Sequence, residues 1–173
     1  SAASDVYKRQ TITTVNASGA VVDFDFTGIG RKGFFVALAD GNFYTSVDGT
    51  TASSWTNKTV AGNHQKLASG LQNDGSTTFK PHAIVSTRPS SNIVDVSTDE
   101  ALTTWTTKTL SSITAGTIQS VAHGYIGAGT NKFVVISNAD RDIEYSTDAG
   151  ASWTSVSNSL PQTDYTCITY GKG

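Results

Sequence analysis

Short apolar runs separated by small polar residues recur along the chain. The clearest runs occupy residues 34–39, 83–85 and 133–136. Because these runs are continuous rather than alternating, they predict strands that are buried on both faces. A strand-like segment precedes each run, at residues 21–26, 65–71 and 118–126. No window carries a sustained apolar period of 3.6 residues, so the sequence predicts an all-β chain with essentially no helix.

The same group of polar and aromatic residues follows each apolar run. Trp55, Trp105 and Trp153 are spaced by 50 and 48 residues. A Ser-x-Asp triplet precedes each tryptophan, in the pairs Ser46 and Asp48, Ser97 and Asp99, and Ser146 and Asp148. Turn residues divide each period into four strands in meander order, and the Ser-x-Asp turn joins the third strand to the fourth. A fourth copy is expected to begin with a strand at 165–170.

A unit of four short antiparallel strands, repeated about every 50 residues and apolar on both faces, indicates the blades of a β-propeller. A β-sandwich without a true repeat is the alternative, but its strands usually bury one face and leave the other in water. We therefore expect a partial β-propeller of about three and a half four-stranded antiparallel blades. The expected blades span 20–60, 63–110 and 115–160, and the next begins at 163–173.

One copy of the repeat matches a known motif. Residues 146–153, STDAGASW, fit every defined position of the Asp-box, S-x-D-x-G-x-x-W. The chain thus resembles the Asp-box, or BNR-repeat, propellers of the sialidase-like superfamily; the motif is also found in sortilin-type receptors, some glycosidases and photosystem assembly factors. The other copies depart from it. Two extra residues precede Trp55, whereas one extra residue precedes Trp105 and the usual glycine is missing.

Turn chemistry predicts a structural role for these residues. An Asp in a tight turn accepts hydrogen bonds from backbone N–H groups, and a Ser adds a second local bond. Gly150 permits a positive φ, and the tryptophan rings, Trp153 among them, are expected to be buried over the turns. The resemblance implies the same role, because Asp-boxes in the sialidase-like families lie away from the catalytic mouth. The residues expected to stabilise the turns in this way are Ser46, Asp48, Trp55, Ser97, Asp99, Trp105, Ser146, Asp148, Gly150 and Trp153.

Asp23 and Asp25 are the best candidates for chemistry. They lie two residues apart on a predicted first strand, hence on one face and about 7 Å apart. Paired carboxylates are the usual requirement of a glycosidase, and these two could face a central channel. More often, however, such a pair marks an innermost strand that is exposed to solvent and has no catalytic role.

Other reactive side chains form no recognisable site. Beyond the first ten residues the arginines are Arg31, Arg88 and Arg141, and their unlike turn positions make a poor match to the arginine triad of a sialidase. The histidines His64, His82 and His123 lack metal-ligand spacing, so no metal is expected. Cys167 lies in an apolar segment and is expected to be a small buried hydrophobe. We expect no catalytic residue and no cofactor in this stretch.

Composition and chain ends limit the partners further. Twelve basic and fourteen acidic side chains leave a net charge of −2, unlike the basic patch of a nucleic-acid binder. No apolar run is long enough for membrane insertion.

Residues 1–10, SAASDVYKRQ, resemble a translated sequencing adapter and fit no blade, so the incomplete propeller is assigned to 11–173. Both ends look cut, and uncovered blade faces would favour self-association.

The function expected from this pattern is a non-catalytic propeller scaffold or binding module. Its partners would be a glycan or a protein surface, together with the remaining blades of the same protein, as in a phage-type virion fibre or an exported protein. A virion or extracellular location is therefore favoured over the cytoplasm. Two alternatives stay open: a fragment of a sialidase-like glycoside hydrolase whose catalytic residues lie elsewhere, and a protein-docking propeller similar to photosystem assembly factors.

Overall fold

The computed structural model describes residues 21–27, 34–39, 41–47, 49, 51–58, 60, 62–72, 80–99, 101–125, 131–139, 141–156, 161 and 165–170. Within these ranges the chain is all-β, with three four-stranded antiparallel sheets. A 3₁₀ turn at Ala52–Ser54 is the helical element of this part of the chain. The expected all-β class is thus confirmed.

Each sheet is a meander whose strands pair in chain order. The first sheet contains β1 (Val21–Thr27), β2 (Phe34–Ala39), β3 (Asn42–Ser46) and β4 (Thr56–Lys58). The second sheet contains β5 (Lys66–Gln72), β6 (Lys80–Thr87), β7 (Ile93–Ser97) and β8 (Thr106–Thr109). The third sheet contains β9 (Ile118–Tyr125), β10 (Asn131–Ser137), β11 (Ile143–Ser146) and β12 (Thr154–Val156).

The second strand of the first sheet is buried on both faces, as its continuous apolar run predicts. Residues 36–39 are all fully buried. Since successive side chains alternate between faces, Val36 and Leu38 join one apolar cluster while Ala37 and Ala39 join another. Full burial of one such valine or leucine side chain contributes about 1.5 to 3 kcal/mol.

The sheets stack through their apolar faces. One cluster joins Val36 and Phe43 of the first sheet to Leu67 of the second. A larger cluster joins Val85 and other second-sheet residues to Phe133 of the third sheet. At one edge of this stack the first strands are neighbours, because β5 contacts both β1 and β9.

Two predictions near the end of the chain are wrong. Residues 165–170 form no strand, although their composition favours one. A strand requires a paired neighbour, and no described strand pairs with this segment. Cys167 is exposed rather than buried, because an apolar segment is buried only where another layer covers it.

Candidate functional site

The Ser-x-Asp turn of the third sheet is closed by its own side chains. Ser146 Oγ accepts a hydrogen bond from Gly150 N at 2.8 Å and donates one to Asp148 Oδ1 at 2.7 Å. The Asp148 carboxylate accepts bonds from Ser152 N at 2.9 Å and Ser152 Oγ at 2.5 Å. Trp153 Nε1 donates to Gly150 O at 3.1 Å. These bonds satisfy turn groups that the β-ladder leaves unpaired.

The turn of the second sheet uses its aspartate more fully. Asp99 Oδ1 accepts a bond from Ala101 N at 2.9 Å, and Oδ2 accepts bonds from Thr103 N at 2.9 Å and Thr104 N at 3.1 Å. The Thr103 hydroxyl donates to the same oxygen. Trp105 Nε1 donates to Leu102 O at 3.0 Å. As with Trp153, the acceptor is the carbonyl three residues earlier in the chain.

The turn of the first sheet is described only in part, because Asp48 lies outside the described residues. Ser46 Oγ accepts a bond from Gly49 N at 2.9 Å, as Ser146 does from Gly150. Ser46 Oγ also lies 2.5 Å from Ser54 Oγ. Ser46 in the first sheet and Ser146 in the third sheet therefore each accept a hydrogen bond from a glycine amide of their turn.

The turn hydrogen bonds change the acidity of the aspartates. Those from the Thr103 side chain and from backbone amides, that of Ala101 foremost, lower the pKa of Asp99 to about 2. Partial burial raises the pKa of Asp148, but hydrogen bonds from Ser152 and Ser146 outweigh it, so that this pKa is lowered as well. Both carboxylates are ionised at neutral pH and act as acceptors.

The tryptophans lie on corresponding faces of their sheets. Trp105 stacks on Phe43 of the first sheet at a ring distance of 4.6 Å, and Trp153 packs against the cluster that contains Val85. Trp55 packs with Tyr44 on the face of the first sheet that points away from the second. Trp55 is buried, whereas Trp105 and Trp153 are half-buried. The expectation that Trp153 is buried is met only in part, since its ring packs against this cluster but is half-buried.

Asp23 and Asp25 connect the first two sheets. Asp23 Oδ2 accepts a bond from Leu67 N and Asp25 Oδ2 one from Ser69 N, both at 2.8 Å. The other oxygen of each carboxylate accepts the N–H of the next residue, Phe24 or Phe26, at 2.9 and 2.8 Å. Each carboxylate therefore bridges equivalent amides of β1 and β5.

A cavity of about 510 Å³ lies where the first strands meet. Its lining comes from residues 23–25, 66–69, 120–123 and 166–170. The two aspartates thus face a cavity, and they also bind the fold. His123 lies on the β9 side, where burial lowers its pKa although the charge of Asp25 opposes this.

Glycines allow side chains of the next segment to approach these strands closely. The His123 ring lies over Gly70 of β5, where a Cβ would overlap it. The Tyr170 ring lies over Gly124 of β9, and a Cβ there would be 2.7 Å from Tyr170 Cδ2. A His-Gly or Tyr-Gly pair recurs at this position, in His123-Gly124 and Tyr170-Gly171.

A buried polar cluster between the first two sheets was not predicted. Asp95 is 1% exposed and receives two bonds from Arg88, Nε to Oδ2 at 2.5 Å and Nη2 to Oδ1 at 2.7 Å. Thr107 Oγ1 donates to Asp95 Oδ1 at 2.7 Å, and His64 Nδ1 lies 3.7 Å from Oδ2. The hydrogen bond to Asp95 is the main cause that raises the pKa of Arg88. An Asp inside the apolar sequence IVDVS was the signal available in the sequence.

The third sheet has a buried carboxylate at the corresponding place, two residues before the Ser-x-Asp serine. Glu144 is 1% exposed. Its Oε1 accepts bonds from Ser112 N at 2.6 Å and Ser112 Oγ at 3.1 Å. A buried carboxylate must be satisfied in this way to avoid a large desolvation cost.

The remaining candidates do not come together. Arg88 is held by Asp95, Arg141 lies in an exposed turn with φ 57°, and Arg31 lies outside the described residues. His64 is buried against Phe43, and the side chain of His82 is not among those described. Over the part of the chain that is described, no group of three or more His, Cys, Asp or Glu side chains has the geometry to hold a metal.

No described helix is long and apolar enough to span a bilayer.

Comparison with known proteins adds no relative: no protein-family model matches the chain. No curated protein is significantly similar to it either.

Proposed function

We propose that this chain is part of an Asp-box β-propeller and that it serves as a non-catalytic binding module. The observation that carries the proposal is the arrangement of the first strands. β1, β5 and β9 lie side by side around a polar cavity, and the meander sheets extend away from it. Neighbouring first strands are the arrangement that blades around a common axis require.

The turns support the Asp-box part of the proposal. Ser46 and Ser146 each hold a glycine amide, and Asp99 and Asp148 each hold an amide four residues later. Trp105 and Trp153 each donate to the carbonyl three residues earlier. Shared bonds of this kind are expected when one structural unit is copied along a chain.

The use of the acidic side chains favours binding over reaction. A glycosidase needs one carboxyl group to donate a proton and another to act as base or nucleophile. Asp95 and Glu144 are buried and already accept bonds from the fold, while Asp23 and Asp25 each hold two backbone amides. These carboxylates are fixed as structural acceptors, which suits a scaffold that presents a polar cavity.

A binding assay and a turnover assay on the full chain test the proposal together. We expect the immobilised chain to bind members of a glycan array and to release no fluorophore from a fluorogenic sialoside. Tyr170→Ala, which alters the cavity wall, should weaken binding, whereas Val156→Ala, on the exposed strand β12, should not.

Three results would contradict the proposal. Turnover of the sialoside would contradict the non-catalytic role. A chain that binds no glycan and no protein partner would refute the binding role. An experimental structure in which Trp105 and Trp153 are unrelated by rotation about one axis would refute the propeller.

A further inference from the structure

The cavity carries acceptors that the fold has not exhausted. Asp23 and Asp25 each use both carboxylate oxygens, and each oxygen accepts one backbone N–H. A carboxylate oxygen has two lone-pair sites. Both side chains line the cavity, so each retains capacity to accept a bond from a ligand hydroxyl.

A backbone donor faces the same space. Ser137 N donates to Asp142 O at 3.3 Å, so the Ser137 N–H points toward β11. Because backbone groups alternate in direction along an antiparallel strand, the N–H of Val135 points toward β11 as well. Val121 pairs with Val135. Its N–H therefore points away from β10, toward the inner edge of β9.

The first strand of the second sheet has the same arrangement. Arg88 N donates to Ile93 O at 3.3 Å, so the N–H of Ser86, two residues earlier, also points toward β7. Leu67 pairs with Ser86, and the N–H of Leu67 therefore points away from β6. That N–H is the one that donates to Asp23. The observed bond of Leu67 therefore agrees with ladder alternation counted from Arg88.

The residues opposite Val121 differ from those opposite Leu67. Asp25 pairs with Val36 on its sheet, and Ala68 pairs with Val85 at the corresponding position of the second sheet. Where the first sheet has Asp23 and Asp25, the second sheet has Lys66 and Ala68. Neither of these side chains carries an acceptor, so β5 cannot cap β9 as β1 caps β5.

The charge of the lining favours a neutral ligand. Two carboxylates oppose an anion, and Lys66 in the same lining offsets part of their attraction for a cation. Burial keeps His123 neutral at pH 7 by lowering its pKa. A hydroxyl group both donates and accepts, so one hydroxylated molecule can serve the aspartates and the Val121 amide at once.

We propose that this cavity binds a neutral polyhydroxylated ligand of monosaccharide or disaccharide size. Its hydroxyl hydrogens are donated to Asp23 and Asp25, and a hydroxyl oxygen accepts the N–H of Val121. Tyr170, which is 45% exposed, supplies aromatic surface for its C–H groups. The volume lies within the usual range of small-molecule pockets. The inference rests on the binding role proposed above and names the ligand class.

The test uses the ¹⁵N-labelled full chain and four probes: maltose, lactose, glucuronate and glucosamine. We expect maltose or lactose to shift the Val121 amide resonance and the charged sugars to have little effect. Asp23→Asn and Tyr170→Ala should each weaken binding about three- to tenfold, the loss of one hydrogen bond or one contact. Asp99→Asn, in a turn outside the cavity lining, is the matched control and should bind like the parent.

The possible outcomes separate the two proposals. Preference for glucuronate or glucosamine would overturn the neutral ligand class but keep a binding module. Glycan-array binding without any shift at Val121 would overturn the cavity site and leave the module intact. Failure of every probe and of the array would refute both. Equal weakening by Asp99→Asn would show that the effect of Asp23→Asn is structural, and would also overturn the inferred site.

Discussion

The residue three places before each of two tryptophans adopts a left-handed backbone. Gly150 has φ 86°, and Leu102 has φ 54°. Leu102 is 2% exposed and packs in the cluster between the first two sheets. A Cβ on Gly150, in contrast, would lie 2.8 Å from both methyl groups of Val96. The neighbouring sheet therefore decides whether this position can hold a side chain.

Gly150→Ala is expected to destabilise the protein by about 2 to 4 kcal/mol. A left-handed alanine costs about 1 to 2 kcal/mol, and the contact with Val96 adds an overpacking cost. The measurement is the free energy of unfolding in urea. The control is the same change in a Val96→Ala background, where removal of the methyl groups should recover part of the loss. Equal losses in both backgrounds would show that the steric contact contributes nothing.

Leu102→Gly is expected to destabilise the protein as well, by about 1 to 3 kcal/mol. Glycine relieves the left-handed strain, but loss of a buried leucine side chain costs more than that relief provides. Urea unfolding measures the balance. A more stable variant would mean that strain at Leu102 outweighs its packing.

Acid should weaken the turns, and Asp99 is the sensitive group. Its folded pKa of about 2 lies below the unfolded value near 3.9. The bonds of the ionised carboxylate therefore stabilise the fold fully above about pH 4, and this contribution is lost as the pH falls through 2. Thr103→Val removes the donor that lowers this pKa most, so the pKa should rise toward its ordinary value.

Urea midpoints at several pH values between 7 and 2 measure the effect. The parent should lose stability between about pH 4 and pH 2, and Thr103→Val should show a smaller loss. Asp99→Asn lacks the titrating group and serves as the reference, while Asp148 contributes the same background to all three proteins. Identical acid profiles would contradict the assigned role of Asp99.

At the scale of elements, the fourth-strand hairpins of the second and third sheets each pack an aromatic ring against a cluster between sheets. Trp105 and Trp153 each combine a ring contact with the preceding sheet and an Nε1 bond to their own turn. The third strands add Asp95 and Glu144, which are buried and satisfied by neighbouring donors. Sheet stacking thus depends on both apolar area and a few exact polar pairings.

Trp153→Ala is expected to cost about 3 kcal/mol, the lower end for a large-to-small change because the ring is half-buried. Trp153→Phe keeps an aromatic ring but loses the bond to Gly150 O, and should cost about 1 kcal/mol. Thermal unfolding monitored by circular dichroism measures both changes. A melting curve that barely moves in Trp153→Ala would contradict the role of this ring in stacking.

At the scale of the whole molecule, side chains rather than a continuous ladder join the first strands. β1 and β5 belong to different sheets, yet Asp23 and Asp25 hold two β5 amides. The same carboxylates bind the amides of their own strand. Each therefore fixes the position of one sheet against the next and covers an edge that would otherwise present unpaired N–H groups.

Asp25→Ala should open this junction locally. We expect the Ser69 amide to exchange with solvent at least about tenfold faster, because its acceptor is removed. Leu67, which Asp23 holds, is the internal control and should exchange as in the parent. Asp25→Asn retains one amide oxygen and should fall between the two. Unchanged exchange at Ser69 would show that the bond to Asp25 does not protect it.

The strand order was predictable because it depends on local pattern. The continuous run at 34–39 became β2 with the predicted bounds, and both the Ser-x-Asp turns and their donors follow from short-range chemistry. Residues 165–170 form no strand, although their Ile, Tyr and Thr side chains favour extended backbone. Pairing requires a partner strand that the local sequence does not specify.

The candidate site was predictable only in part. Asp23 and Asp25 were identified by their spacing, but their bonds to β5 connect residues 44 positions apart. Arg88 and Asp95 pair within one hairpin, and the Asp inside IVDVS was a local signal for the pair. The inner-edge donor at Val121 depends on ladder alternation between paired strands, which no local motif encodes.

The amino-acid sequence by itself determined the all-β class, the four-strand period and the turns, because periodicity and turn propensity act over a few residues. Only the tertiary structure decided which carboxylates hold amides, which glycines must stay bare and where a cavity remains. Those outcomes depend on distances between sheets, and such distances are set when distant strands pack together.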